Sequence, residues 1–235
     1  MIKLLKIEKS CVIDQGEQRR KTGMSKLLIS AGSLMLLSLV GCAGAFTQTQ
    51  VLVDESFRDT TFLLDGTKIG FITPSSGNEL EDHWVLLDLL AKALKEERKE
   101  TEVLSPAQSL SLLNQAGMAR EYNEAIKDFQ ITGVLDQQIL IRIHEVMGVK
   151  YLFYLSLNSF RQYPSTRLST LGLRLIDSQT GTLRLFVRIF EAGQGKIVWE
   201  GSAEGIITRE SFRARLITLT ELGQIACQKL VNDLP

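Results

Sequence analysis

Few side chains in this sequence offer chemistry, and their spacing excludes most of it. The chain of 235 residues holds three cysteines, Cys11, Cys42 and Cys227, and two histidines, His83 and His144. No pair of cysteines has metal-ligand spacing, and neither histidine lies near a cysteine or forms a His-x-x-x-His pair. His83 precedes Trp84 at a predicted helix start, and His144 falls within a predicted helix. Histidines so placed usually serve as surface groups or as satisfied, partly buried ones. There is no Gly-x-Ser-x-Gly elbow and no phosphate loop. Gly193-Gln194-Gly195 is too short for one and sits between two strand patterns, so it reads as a hairpin turn. The sequence therefore assigns no catalytic residue, no cofactor site and no metal site, and the expectation is a protein that is not an enzyme.

Cys42 differs from the other cysteines in what precedes it. Met24-Ser25-Lys26 leads into an uncharged, mostly apolar run from Leu27 to Val40, 14 residues long. A spanning helix needs roughly 20 apolar residues. The apolar region of a signal peptide needs about 7–15, behind a basic residue. The run closes on Leu39-Val40-Gly41-Cys42, which resembles the lipobox of bacterial lipoproteins, with Val40 an allowed but less usual choice. The resemblance implies diacylglycerol on the Cys42 thiol, cleavage between Gly41 and Cys42, and acylation of the new amino terminus, with palmitate a typical chain. Two or more acyl chains hold a protein firmly on a bilayer, where one holds it marginally. Ala43 stands where an Asp would retain an enterobacterial lipoprotein at the inner membrane, so the resemblance implies the outer membrane and a domain facing the periplasm. Residues 1–23 carry Glu8, Asp14 and Glu17 and make a poor signal start. They read as an upstream extension of a chain initiated at Met24, with a long amino-terminal region as the alternative.

Charge adds little. Lys+Arg and Asp+Glu are both 27, which points away from nucleic acid as a partner. Residues 1–41 hold seven basic and three acidic residues, leaving 20 against 24 and a net charge of −4 for the remainder. Such a domain does not steer itself to anionic headgroups by charge. Without residues 1–41, and with Cys42 acylated, Cys227 keeps the one thiol. It lies on an apolar helix pattern and reads as a small buried hydrophobe.

The remaining elements follow from periodicity. Residues 42–65 read as a lipidated tether, with one short strand at most where it meets a domain over 66–235. Lys68–Thr73 predicts a first strand, with Pro74–Asn78 as its exit turn. Residues 84–94 repeat at helical spacing. Glu102–Leu104 suggests a short strand, and Ser105-Pro106 opens a helix as N-cap and first turn. Helical patterns cover 122–130 and 136–147, with Asp136 as N-cap and Gly148 as the stop. From 151 to about 208 four strands are expected (151–157, 167–177, 183–190 and 197–208), separated by Tyr163-Pro164, Ser178–Gly181 and Ala192–Gly195. A final helix is expected from Ser211 to about Asn232. The expected fold class is α+β: a single, mostly antiparallel sheet with helices packed on one face and a carboxy-terminal four-strand meander followed by a helix.

Four segments carry a family resemblance. They are the lipobox with the first strand and helix behind it; Gly133-Val134-Leu135-Asp136 together with Met147-Gly148-Val149-Lys150-Tyr151-Leu152-Phe153; Arg174–Gly181; and Gly195-Lys196-Ile197-Val198-Trp199-Glu200. In these the chain resembles a group of envelope lipoproteins and their kin. The group includes the curli secretion lipoprotein, the lipoprotein activators of penicillin-binding proteins, and the amino-terminal domain of TolB. Lys150 departs from the pattern, in which an acidic residue is usual, and no long amphipathic hairpin of the kind a pore-forming member inserts is evident. The segments are packing and turn signals. What they imply is a membrane-anchored binding or assembly factor with an envelope protein as partner, or a self-assembling accessory subunit of a secretion or export apparatus.

One stripe of residues fits a docking role. Arg174, Arg184 and Arg188, with Phe186 and Phe190 among them, would line one face of the sheet, and Arg and aromatic residues are enriched at interface hot spots. Arg184, Phe186 and Arg188 are its candidate contacts. The commoner use of such a stripe is cross-strand pairing, here with Glu200 and Glu204, or cover by a helix.

Overall fold

The computed structural model describes residues 46–73, 80–170, 173–211 and 215–235. These form an α+β domain built on one curled six-stranded sheet, with five helices among the described residues. The strands are β1 (Phe46–Arg58), β2 (Lys68–Ile72), β3 (Glu102–Val103), β4 (Tyr151–Thr170), β5 (Leu173–Glu191) and β6 (Lys196–Ser211). Their order across the sheet is β1-β6-β5-β4-β2-β3. The ladders β1/β6, β6/β5 and β5/β4 are antiparallel, and β2 pairs in parallel with both β3 and β4.

Helix α1 (Leu80–Glu97) connects β2 to β3, and α5 (Leu219–Asp233) closes the chain. Between β3 and β4 run α2 (Pro106–Gln115), α3 (Ala119–Thr132) and α4 (Gln137–Met147). Their ends obey local rules. Ser105 and Gln108 form a reciprocal capping box at α2. Asp136 accepts from the backbone N–H groups of Gln138 and Ile139 at α4. Gly133 and Gly148 end α3 and α4 in the left-handed conformation, with φ of 72° and 64°.

The helices occupy both faces of the sheet, and this corrects the expectation of one covered face. Alternate residues of a strand point to opposite sides. On one side Ile69, Phe71, Phe153, Leu155, Leu183, Leu185, Val187 and Ile189 pack with Leu86, Leu87, Leu90 and Leu94 of α1 and Leu222, Ala226, Cys227 and Leu230 of α5. On the other, Ile72, Leu152 and Phe190 pack with Leu113 of α2, Ile126 and Phe129 of α3, and Ile139, Leu140, Ile143 and Met147 of α4. The physical cause is visible in β4, where Tyr151-Leu152-Phe153 is apolar without interruption, as in strands buried on both faces. Tyr122 fastens the second layer: its hydroxyl accepts from Thr73 N–H at 2.8 Å and donates to the Thr73 carbonyl at 3.1 Å.

The carboxy-terminal meander and its closing helix are present, with three long strands in place of four shorter ones. Ser178–Gly181 is the interior of β5, paired to β4 on one side and β6 on the other. Gly181 is there for close approach: a Cβ at this position would meet Ile217 Cγ2 at 2.8 Å. Residues 46–58, read from sequence as tether, are instead strand β1, and Phe62 and Leu64 behind it are buried in the core. The last helix begins at Leu219 and not at Ser211, because Thr218 as N-cap forms a capping box with Glu221. The turn at 192–195 is as expected, with Gly195 at φ 65°. The exit turn expected over 74–78 lies outside the described residues.

Candidate functional site

The second face of the sheet is covered only in part. Strand register places its side chains in rows, in which directly paired residues share a face. Tyr154, Arg188, Glu200 and Phe57 make one row; Arg184, Glu204 and Leu52 make another. Further along lie Thr182, Ile206 and Gln50, then Tyr163, Thr180, Thr208 and Gln48. Helices α3 and α4 meet the sheet as far as the Arg188 row. Beyond it Arg184 and Glu204 are exposed, and Leu52 is 60% exposed.

Arg188 marks the boundary between the covered and open regions. Its Nε donates to Glu200 Oε2 at 2.7 Å, and its Nη1 donates to the Gly133 carbonyl at 3.1 Å. The guanidinium lies 5.8 Å from the ring centre of Phe129 and 5.5 Å from that of Phe186, within cation–π range. Side chains at 18% and 24% exposure make this a half-buried, doubly satisfied ion pair. Beside it Tyr154 packs edge-on against Phe129, and burial pushes its phenol above the usual range against the pull of Arg188.

The stripe expected from sequence is thus divided in its roles. Arg188 pairs with Glu200 and clamps the turn between α3 and α4. Phe190 is buried. Arg184 is exposed opposite Glu204, and Phe186 is half-buried between the two arginines. The Arg174 side chain lies outside what is described. Sequence reading missed the apolar groups that border the Arg188 row: Ile131 and Val134, 83% and 71% exposed at the turn Arg188 clamps, and Phe57, 48% exposed on β1. The exposed Val134 was legible as one odd residue in Gly-Val-Leu-Asp; Phe57 was not, because β1 was not read as sheet.

The other sequence candidates take structural positions. The His144 Nδ1 and the Val149 carbonyl lie 2.7 Å apart, tying the end of α4 to β4. His83 Nε2 accepts from Leu157 N–H at 3.4 Å. Cys227 is buried between α5 and α1, and burial pushes its thiol up to about 12. Among the described residues no three His, Cys, Asp or Glu side chains converge as metal ligands, and no helix is long and apolar enough to cross a membrane. Cys42 and Gly41 lie outside the described residues.

No protein-family model matches the chain, and no curated protein matches it in sequence. Solved structures similar to it include the lipoprotein GNA1162 from Neisseria meningitidis, at 18% identity and a TM-score of 0.43, covering 71% of this chain and 96% of that one. Another is a PelC dodecamer from Paraburkholderia phytofirmans, at 9% identity and a TM-score of 0.39, covering 79% and 95%.

Proposed function

We propose that the chain is a bacterial envelope lipoprotein, held on the outer membrane by acyl chains on Cys42, that acts without catalysis as a binding or assembly factor in the periplasm. The observation that carries the anchor is the Leu39–Cys42 lipobox at the end of an apolar run too short to span a bilayer. The binding role is supported by the open sheet face, where Leu52, Phe57, Phe186 and Val134 surround the charged rows of Arg184 and Arg188. Exposed apolar and aromatic side chains interleaved with arginine are enriched at protein-binding surfaces. The partner is an envelope protein. In cells fed labelled palmitate, Cys42→Ala leaves the precursor uncleaved and unlabelled; labelling of that variant overturns the anchor. Crosslinking in intact envelopes captures a partner with the wild-type lipoprotein and loses it with Leu52→Asp; retention of the partner by that variant overturns the docking face.

A second reading is a self-assembling accessory subunit of a secretion or export apparatus. It is favoured by one observation: β1 is a 13-residue strand at the edge of the sheet. Long unpaired edges are templates for pairing with another chain. Light scattering on the detergent-extracted lipoprotein separates the two readings, since a defined ring-sized oligomer supports assembly and a monomer supports the adaptor.

A further inference from the structure

The two edges of the sheet are treated differently. Strand β3 closes one side with two residues, and its Glu102 is held by Lys68 at 3.0 Å. Short strands and charge are common means by which an edge avoids pairing with another chain. Strand β1 ends the other side with 13 residues, all exposed but Val51 and Val53. From Phe46 to Val53 it holds no charge, no proline and no glycine. This stretch pairs with β6 without a register shift, and the bulge comes later, between Glu55 and Phe57. An edge so regular and uncharged is a template for strand addition.

The same stretch fits a second copy of itself. Two β1 strands related by a two-fold axis perpendicular to the sheet run antiparallel. Paired residues share a face, so odd positions meet odd and even meet even. Centred on Thr49, the register opposes Phe46, Thr47 and Gln48 to Leu52, Val51 and Gln50 of the second copy, and Thr49 to its own counterpart. Phe46 and Leu52 lie on one face and are 56% and 60% exposed. In this register each gains an apolar neighbour, twice in the symmetric pair, and every opposed residue is uncharged. Moving the centre by one residue opposes Phe46 to Asp54 or to Gln50.

We propose that β1 pairs with β1 of a second copy of this chain, antiparallel about Thr49, joining two six-stranded sheets into one. This rests on the self-assembly reading above and names its contact. The interface is isologous and closes at two, so a larger assembly needs a further surface. It leaves both second faces open on the same side of the joined sheet.

Light scattering on the full, detergent-extracted lipoprotein tests it with Thr49→Lys and Thr49→Glu. Thr49 is exposed on the edge strand, so both variants fold, and unchanged thermal denaturation shows it. The wild-type chain is expected to pair. Each variant alone loses the pair, because like charges then stand directly opposed, and mixing the two restores it. An oligomer that either variant leaves intact, or that mixing does not restore, overturns this register and leaves self-assembly standing. A wild-type chain that is monomeric at every concentration overturns both.

Discussion

Arg188 on β5 and Glu200 on β6 are joined at 2.7 Å across the sheet, and the same guanidinium holds the Gly133 carbonyl at the turn between α3 and α4. One side chain thus ties the second helical layer to the sheet where cover gives way to open surface. Removing it leaves the Glu200 carboxylate half-buried and unpaired. Arg188→Ala is expected to lower stability by about 2 kcal/mol, the size of a lost charge-assisted bond with a stranded partner. Arg188→Lys recovers only a fraction, because an ammonium cannot reach both acceptors in the same fork. Urea denaturation of the three proteins checks this.

Gly181 is expected to tolerate no side chain. A Cβ there meets Ile217 at 2.8 Å and Leu222 at 3.0 Å, whereas one at Gly205 meets Leu222 at 3.4 Å. Gly181→Ala therefore costs about 1–3 kcal/mol through overpacking, and Gly205→Ala costs much less. Thermal denaturation of the two variants separates close approach from a general loss of glycine.

Asp59 caps the turn that follows β1. Its carboxylate accepts from Thr61 N–H and hydroxyl and lies 3.1 Å from Lys196 Nζ, and these bonds, the Thr61 backbone first, lower its pKa from 3.8 to about 2. A depressed carboxylate contributes stability above its unfolded value and loses that contribution as pH falls through its folded one. Asp59→Asn is thus less stable than wild type at neutral pH, and the difference closes between about pH 4 and about pH 2. Denaturation across that range, with the Asp59 titration followed by NMR, checks both the sign and the window.

Cys227, with its thiol at about 12 and no solvent access, is expected to resist maleimide at pH 8 in the folded protein and to react at once in denaturant. Labelling of the native protein at the unfolded rate contradicts the packing of α5 on α1.

Much of this fold was legible where local chemistry decides it. Ser105-Pro106, Asp136 and Gly148 announced helix ends correctly, and the alternation from Leu183 to Ile189 announced the inner face of β5. The failures came where a residue type has two uses. Ser178-Gln179-Thr180-Gly181 has the composition of a turn, but Ser178 is buried and Gly181 makes room for Ile217. That contact crosses 36 residues of sequence, and no local pattern carries it. The unbroken apolar run Tyr151-Leu152-Phe153 does signal two-sided burial of β4, but the alternation around it masks the signal. Thr218 and Glu221 carry the capping signal for α5, and the apolar spacing upstream obscures it. Of the candidate site, Arg184, Phe186 and Arg188 were found from their alternation. Ile131, Val134 and Phe57 needed the third dimension, since their association depends on how α3, α4 and β1 meet the sheet.

Strand β1 begins a few residues after Cys42 and pairs with β6 from Phe46 to Arg58. A tug on the leading end of β1 along the strand axis therefore pulls across hydrogen bonds that lie perpendicular to it. The whole ladder shares such a load at once, and its bonds do not open in succession from an end. The strand is loaded in shear, the direction in which a β ladder gives way last, so β1 is mechanically the firmest handle by which its own leading end could hold the domain.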